Sequence, residues 1–299
     1  MKYIGKYADA TAIQNALNNH TLGNPYIAFN VASNALDWNT LTDQNIPSNQ
    51  IWYKTSDNNI IDIWAPGQWE GYIMWGGAII QTNVYDTESG WCKATFDRNI
   101  TSWGHNNKHS DFGEKTNLTH IILPPSLTRL DSDTSTWHGG KHTLCPAFRG
   151  CTNLQQIFIP YSLINFAGSC HFYQTGLLEL KLPEGITNIP ERFCEQSNIS
   201  SITLPNSVTT INTSAFNECT SLTNIIIGEN IQSIGNFAFG GNSNNRTVTI
   251  KTVVPPSIIA NSFGANIGLT IYVPAASVNA YKAATNWDCY ASAIQAIPE

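Results

Sequence analysis

A seven-residue unit, Leu-x-x-Ile-x-Leu-Pro, recurs along the second half of this 299-residue chain and limits what it can fold into. The copies span Leu118 to Pro124, Leu154 to Pro160, Leu177 to Pro183, Ile199 to Pro205 and Leu222 to Gly228, mostly 22 or 23 residues apart. The same step carries Ile225 and Ile227 to Val248 and Ile250, then to Ile271 and Val273. A second column agrees with the first: Phe148, Phe193 and Phe216 each precede the next unit's first apolar residue by six positions, and Phe112 fits that spacing. One coil of this length has no interior of its own, so neighbouring coils must stack to shelter their apolar edges. The Ile-x-Leu alternation makes each unit a short strand with two side chains inward and one outward.

The expected architecture is an α/β-type repeat solenoid, right-handed, with a parallel β-sheet on one face and Phe and Ala from the return segments closing the core. Phe112 to Leu118 parallels Phe148 to Leu154, which points to an earlier coil with Trp91-x-x-Ala94-x-Phe96 as its strand. The reading therefore divides the chain into a docking segment over 1–45, a Trp-rich β region over 46–90, the solenoid over 91–273 and a C-terminal helical cap over 274–299. In the docking segment Asp9 caps a helix with Ala12, Ile13, Ala16 and Leu17 on one face, and a strand follows from Pro25 to Val31. Asp57-Asn58-Asn59 reads as the turn of a hairpin joining Ile51–Lys54 to Ile60–Ile63. Ala275 to Ala284 reads as a helix, with Trp287, Tyr290 and Ile294 anchoring it over the last coil.

The units, in particular Leu204 to Leu222 with Ile211, Ala215, Phe216 and Cys219 at fixed offsets, resemble those of the BspA-like family of bacterial leucine-rich-repeat proteins. Ile51 to Ile60 and Gly77 to Tyr85 are similar to that family's leading segment, so the resemblance covers the last five-sixths of the chain. It implies a leucine-rich-repeat solenoid, non-catalytic ligand binding, and display at the cell surface or secretion. Residues 1–45 resemble the leading segment of some virion or prophage proteins of gut bacteria.

Composition narrows the partners. Charged residues are 12% of the chain and the formal net charge is -6, with no Lys/Arg cluster, so nothing marks a nucleic-acid or anionic-lipid footprint. No stretch approaches the roughly 20 apolar residues of a membrane span, and Met1 to Asp9 lacks the apolar run of a signal peptide. Seven cysteines (Cys92, Cys145, Cys151, Cys170, Cys194, Cys219 and Cys289) form no CxxC pair and read as buried free thiols.

Two surfaces are candidate binding sites. Trp64, Trp69 and Trp75, in a tryptophan-dense stretch, offer flat aromatic faces for sugar, against the simpler reading that they fill a small core. The outward strand positions Thr95, Ile122, Phe158, Lys181, Thr203, Ile226, Thr249 and Tyr272 form a column with apolar members where solvent is expected. Cover by the 13-residue expansion between Leu130 and Ala147, or by another protomer, is the competing reading of that column.

His105, His109, His138 and His142 cluster around the expansion with His120 and His171, but Gly139-Gly140 argues for a loop, and solvated or hydrogen-bonded histidines are expected in place of a metal site. No P-loop, dinucleotide-binding glycine pattern or Gly-x-Ser-x-Gly elbow is present. Asp57, Asp62, Glu70, Asp86 and Glu88 are the carboxylates from which a glycosidase pair would be drawn, and scattered loop acids are the ordinary case. The expected function is non-catalytic recognition of a host protein or glycan, without cofactor, nucleic acid or membrane insertion. A phage or prophage attachment protein is the alternative, and a carbohydrate-active enzyme the least favoured.

Overall fold

The computed structural model describes residues 29–30, 35–36, 46–63, 77–103, 112–131, 137–138, 141–142, 147–242, 245–265 and 267–298. The chain divides into two compact units, Met1–Pro47 and Ser48–Glu299. In the first, β1 (Phe29–Asn30) pairs antiparallel with β2 (Ala35–Leu36). The Asp9 helix and most of the Pro25 to Val31 strand lie outside the described residues.

The second unit begins with an antiparallel sheet of β3 (Gln50–Thr55), β4 (Ile80–Asp86) and β5 (Trp91–Phe96), in the order β3-β5-β4. Here the structure corrects the expectation for Trp91 to Phe96. The segment is a strand, yet it runs antiparallel between β3 and β4 and is no rung of the parallel stack. The cause is local: the Gly90 N–H bonds the Asp86 carbonyl at 2.8 Å, with Gly90 in the left-handed region (φ 68°), so the chain reverses before Trp91. Any half-buried strand alternates as this one does, and the alternation alone does not give direction. The Asp57-Asn58-Asn59 turn is present, with Asn58 at φ 57° and the Asn59 N–H on Asp57 Oδ1 at 3.1 Å. Ile60 to Ile63, however, forms no ladder. It is held at Ile61, whose N–H donates to the Tyr53 hydroxyl (3.0 Å) and whose carbonyl accepts Asn83 Nδ2 (2.7 Å), leaving Ile61 and Ile63 buried.

β3 also pairs antiparallel with β7 (Leu118–Ile122), and this joins the antiparallel strands to the solenoid. On the wide face β7 pairs in parallel with β11 (Gln156–Phe158). Further along, β14 (Ser201–Thr203), β16 (Asn224–Ile227), β18 (Arg246–Ile250) and β20 (Leu269–Val273) pair in parallel in that order. Lys181 bridges to Thr203 ahead of this run. A narrower face carries its own parallel ladders: β6 (Ser102–Trp103), β8 (Arg129–Asp131) and β12 (Asn165–Ala167), then β13 (Asn188–Ile189), β15 (Thr210–Ile211), β17 (Ser233–Ile234) and β19 (Ser257–Ile258). The molecule is a parallel β-solenoid of about 7 turns. Within the expansion β9 (Trp137–His138) and β10 (Lys141–His142) form a small antiparallel pair.

Each coil returns through tight turns, and the one α-helix among the described residues is α1 (Val278–Ala283). Backbone bonds between successive turns, such as Phe148 N–H to the His171 carbonyl and Cys194 N–H to the Ala215 carbonyl, set the register. They align Phe148, Phe172, Cys194, Phe216, Phe239 and Phe263 in one column, and Ala147, His171, Phe193, Ala215, Ala238 and Ser262 in the next. Phe193 therefore does not belong to the phenylalanine column in which the six-residue spacing placed it. Its coil is one residue shorter before Ile199, so the same count lands on the alanine column, while Cys194 takes the smaller remaining space. The Phe193 ring fills the volume by edge contacts at 5.1 Å to Phe172 and 5.2 Å to Phe166.

The far end is closed by the segment after Pro274. Tyr281, Trp287 and Tyr290 are buried, and each also satisfies a carbonyl of the last full coil: Tyr281 Oη to Thr252 (2.9 Å), Trp287 Nε1 to Pro256 (2.9 Å) and Tyr290 Oη to Ala260 (2.6 Å). Beyond the helix, β21 (Ile294–Ala296) adds a further parallel rung beside β20, where the sequence had indicated that strands end.

Candidate binding face

Strand pairing builds two runs of outward positions on the wide face, one ending at Phe158 and the next beginning at Lys181. Lys93 lies beside Trp52, Trp52 beside Ile122, and Ile122 beside Phe158. Lys181 lies beside Thr203, and from there Ile226, Thr249, Tyr272 and Gln295 follow at one rung each. Successive members are about 4.8 Å apart, close enough for neighbours to cover one another. Six of the expected column residues, Phe158, Lys181, Thr203, Ile226, Thr249 and Tyr272, thus share this face.

Two do not behave as expected. Thr95 pairs with Gln50, whose Nε2 donates to Thr95 Oγ1 at 3.1 Å, so it sits two residues along the strand from Lys93, the row's member there. Ile122 is in the row but fully buried. Its partners on either side are Trp52 and Phe158, and large side chains on adjacent rungs remove the exposure that alternation alone promises. Trp91, another outward position at this end, is also buried, with Lys54 Nζ over its ring at 4.7 Å. Lys93 Nζ stands 4.5 Å from the Trp52 ring centroid and 2.5 Å from Asp86 Oδ2, which holds the Asp86 carboxyl well below the usual carboxylate range. His120 meets Trp91 edge-on at 6.5 Å, and burial, then the Lys54 charge, lowers its pKa. The first rungs are therefore committed to internal contacts. From Lys181 onward the row is open: Lys181 and Thr203 are exposed, while Ile226, Thr249 and Tyr272 are half-buried.

Trp64, Trp69, Trp75, Glu70, Cys145, His105 and His109 lie outside the described residues, as do the side chains of His138 and His142. His171 is fully buried, with Nε2 3.2 Å from the Leu130 carbonyl, and burial pushes its pKa down to about 4. Among the described residues no group of His, Cys, Asp and Glu is arranged to hold a metal ion. Asp57 accepts the Asn59 N–H, and Asp86 is taken by Lys93, Ser89 and the Glu88 N–H, so both serve turns. Cys92, Cys151, Cys170, Cys194 and Cys219 are buried free thiols as expected, but Cys289 is exposed. Cys151 Sγ donates to the Phe112 carbonyl (2.7 Å) and Cys219 Sγ to that of Cys194 (3.0 Å), and burial raises their pKa values to about 12 and about 11.

The turn face carries a feature that the sequence reading passed over. Gln174 Nε2 donates to Gln196 Oε1 (2.9 Å) and Gln196 Nε2 to Glu218 Oε2 (2.6 Å), an exposed amide ladder crossing three coils. The 22-residue spacing of these residues was its signal.

Among the described residues no helix is long and apolar enough to cross a membrane. No curated protein matches the chain. A solved structure, the crystal structure of a leucine-rich repeat protein from Bacteroides ovatus, is similar at 17% identity with a TM-score of 0.33. That alignment covers 65% of this chain and 62% of the other, so this chain spans less than two-thirds of its length. The family described as BspA type Leucine rich repeat region matches residues 145–270 in 6 copies. The stacked parallel rungs run through those residues, so this part of the chain is similar in sequence to BspA type leucine-rich repeats and has the solenoid form such repeats build.

Proposed function

We propose that the chain is a non-catalytic recognition protein that binds a host protein or glycan on the open half of the wide face, through Lys181, Thr203, Ile226 and Tyr272, with Phe158 at its rim. The observation that carries this reading is the single row these residues form across successive rungs, with half-buried apolar groups between polar ones. Such a surface combines apolar contact with hydrogen-bonding groups on a rigid frame, and it needs no reorganisation on binding. Display at the cell surface or secretion accords with the family. The test is capture from mucosal extract by immobilised full chain, run beside Phe158→Asp and Tyr272→Asp. Loss of the captured species with unchanged melting supports the reading, and undiminished capture by both variants removes it.

A further inference from the structure

Between the wide and narrow faces, each coil makes a corner that the next coil normally caps. Glu184 accepts the backbone N–H groups of Asn206 and Ser207, each at 3.3 Å. One coil later, Asn206 Oδ1 accepts the Glu229 N–H (3.3 Å), and the Asn206 carbonyl accepts Asn230 Nδ2 (2.9 Å). The series stops at Glu229. The following corner, Thr252 to Pro256, is one residue longer than Glu229 to Gln232, as the pairing of Ser233 with Ser257 requires. It folds on itself through Thr252 Oγ1 to the Val254 carbonyl (3.2 Å), and Pro255 and Pro256 have no N–H to offer. Among the described residues the Glu229 carboxylate accepts no hydrogen bond and joins no ion pair. A cleft of about 330 Å³ opens there, walled by Glu229, Asn230, Gln232, Val254, Pro255 and Pro256. Val254 in its wall is 68% exposed, and the adjoining Val253 is 64% exposed.

We infer that this cleft is a binding site for an arginine side chain of a protein partner. The carboxylate supplies the opposite charge, the Asn230 and Gln232 carboxamides supply acceptors for the remaining guanidinium N–H groups, and the proline and valine surfaces take the aliphatic stem. Charge complementarity selects the occupant, since the cleft presents one anion and no paired cation. The site lies off the wide face, so it stands or falls independently of the recognition reading above.

The experiment is titration of the isotopically labelled full chain with the peptide acetyl-Gly-Arg-Gly-amide and with its citrulline counterpart, which keeps the shape and removes the charge. The arginine peptide is expected to shift the amides of Asn230, Gln232, Val253 and Val254 saturably, and the citrulline peptide to bind about fivefold more weakly or worse. Glu229→Gln, on an exposed corner and with melting unchanged, should weaken the arginine peptide by a similar factor. Equal binding of the two peptides, shifts at other amides only, or unaltered arginine affinity in Glu229→Gln would each overturn the assignment.

Discussion

Phe216 and Phe239 stack with ring centroids 5.3 Å apart and planes 2° from parallel, and Phe239 repeats the relation with Phe263 at 5.7 Å. The chain thus continues one coil's core into the next through aromatic faces, which ties the stability of each coil to its neighbours. Phe216→Ala removes a fully buried ring that stacks on Phe239 and meets Phe193 edge-on, and a loss of about 3–5 kcal/mol is expected from urea unfolding. Phe237→Ala, at an exposed turn position, should change stability by about 0.5 kcal/mol or less.

The exchange of Phe and small residue at Phe193-Cys194 makes a compensation testable. Cys194→Phe alone forces a second ring into occupied volume, and a destabilisation of about 1–3 kcal/mol is expected. Phe193→Ala with Cys194→Phe restores the order found at Ala215-Phe216. The double variant should therefore be more stable than the sum of the single changes predicts, as measured by a double-mutant cycle in urea.

His171 replaces a small residue in a buried column and is held neutral, with its folded pKa at about 4 against an ordinary value near 6.5. A depressed value means that the unfolded chain binds the proton more readily. The stabilising difference is complete above about pH 6.5 and is lost as pH falls through about 4, a change of about 3 kcal/mol. Urea midpoints measured from pH 7 to pH 4 should fall accordingly in the wild type, and the part of the fall due to His171 should vanish in His171→Ala.

Removal of residues 275–299 uncovers Phe263 and the last carbonyls bonded by Tyr281, Trp287 and Tyr290. The truncated chain should be insoluble or partly melted by circular dichroism and light scattering. A soluble product with unchanged melting would show that these contacts are dispensable.

Much of this fold was readable because burial imposes a period. Ile225, Val248 and Ile271 stand on adjacent rungs, as their spacing required. What escaped was governed by features that leave no period. The direction of Trp91 to Phe96 is decided by the reversal at Gly90, and the place of Phe193 by a one-residue shortening that only the backbone bonds reveal. Ile122 was legible as outward but not as buried, because cover depends on the size of Trp52, a residue from a strand far away in sequence. The corner at Glu229 likewise became visible only against the capped corners before it.

The wide face is the proposed contact surface, and a direct binding isotherm for the species captured from mucosal extract tests it. Ile226→Asp and Tyr272→Asp should each raise Kd by tenfold or more, on the order of 1.4 kcal/mol. Ser257→Asp, outward on the narrow face, should leave Kd unchanged. Equal affinities for wild type, Ile226→Asp and Tyr272→Asp, or a loss confined to Ser257→Asp, would contradict the account.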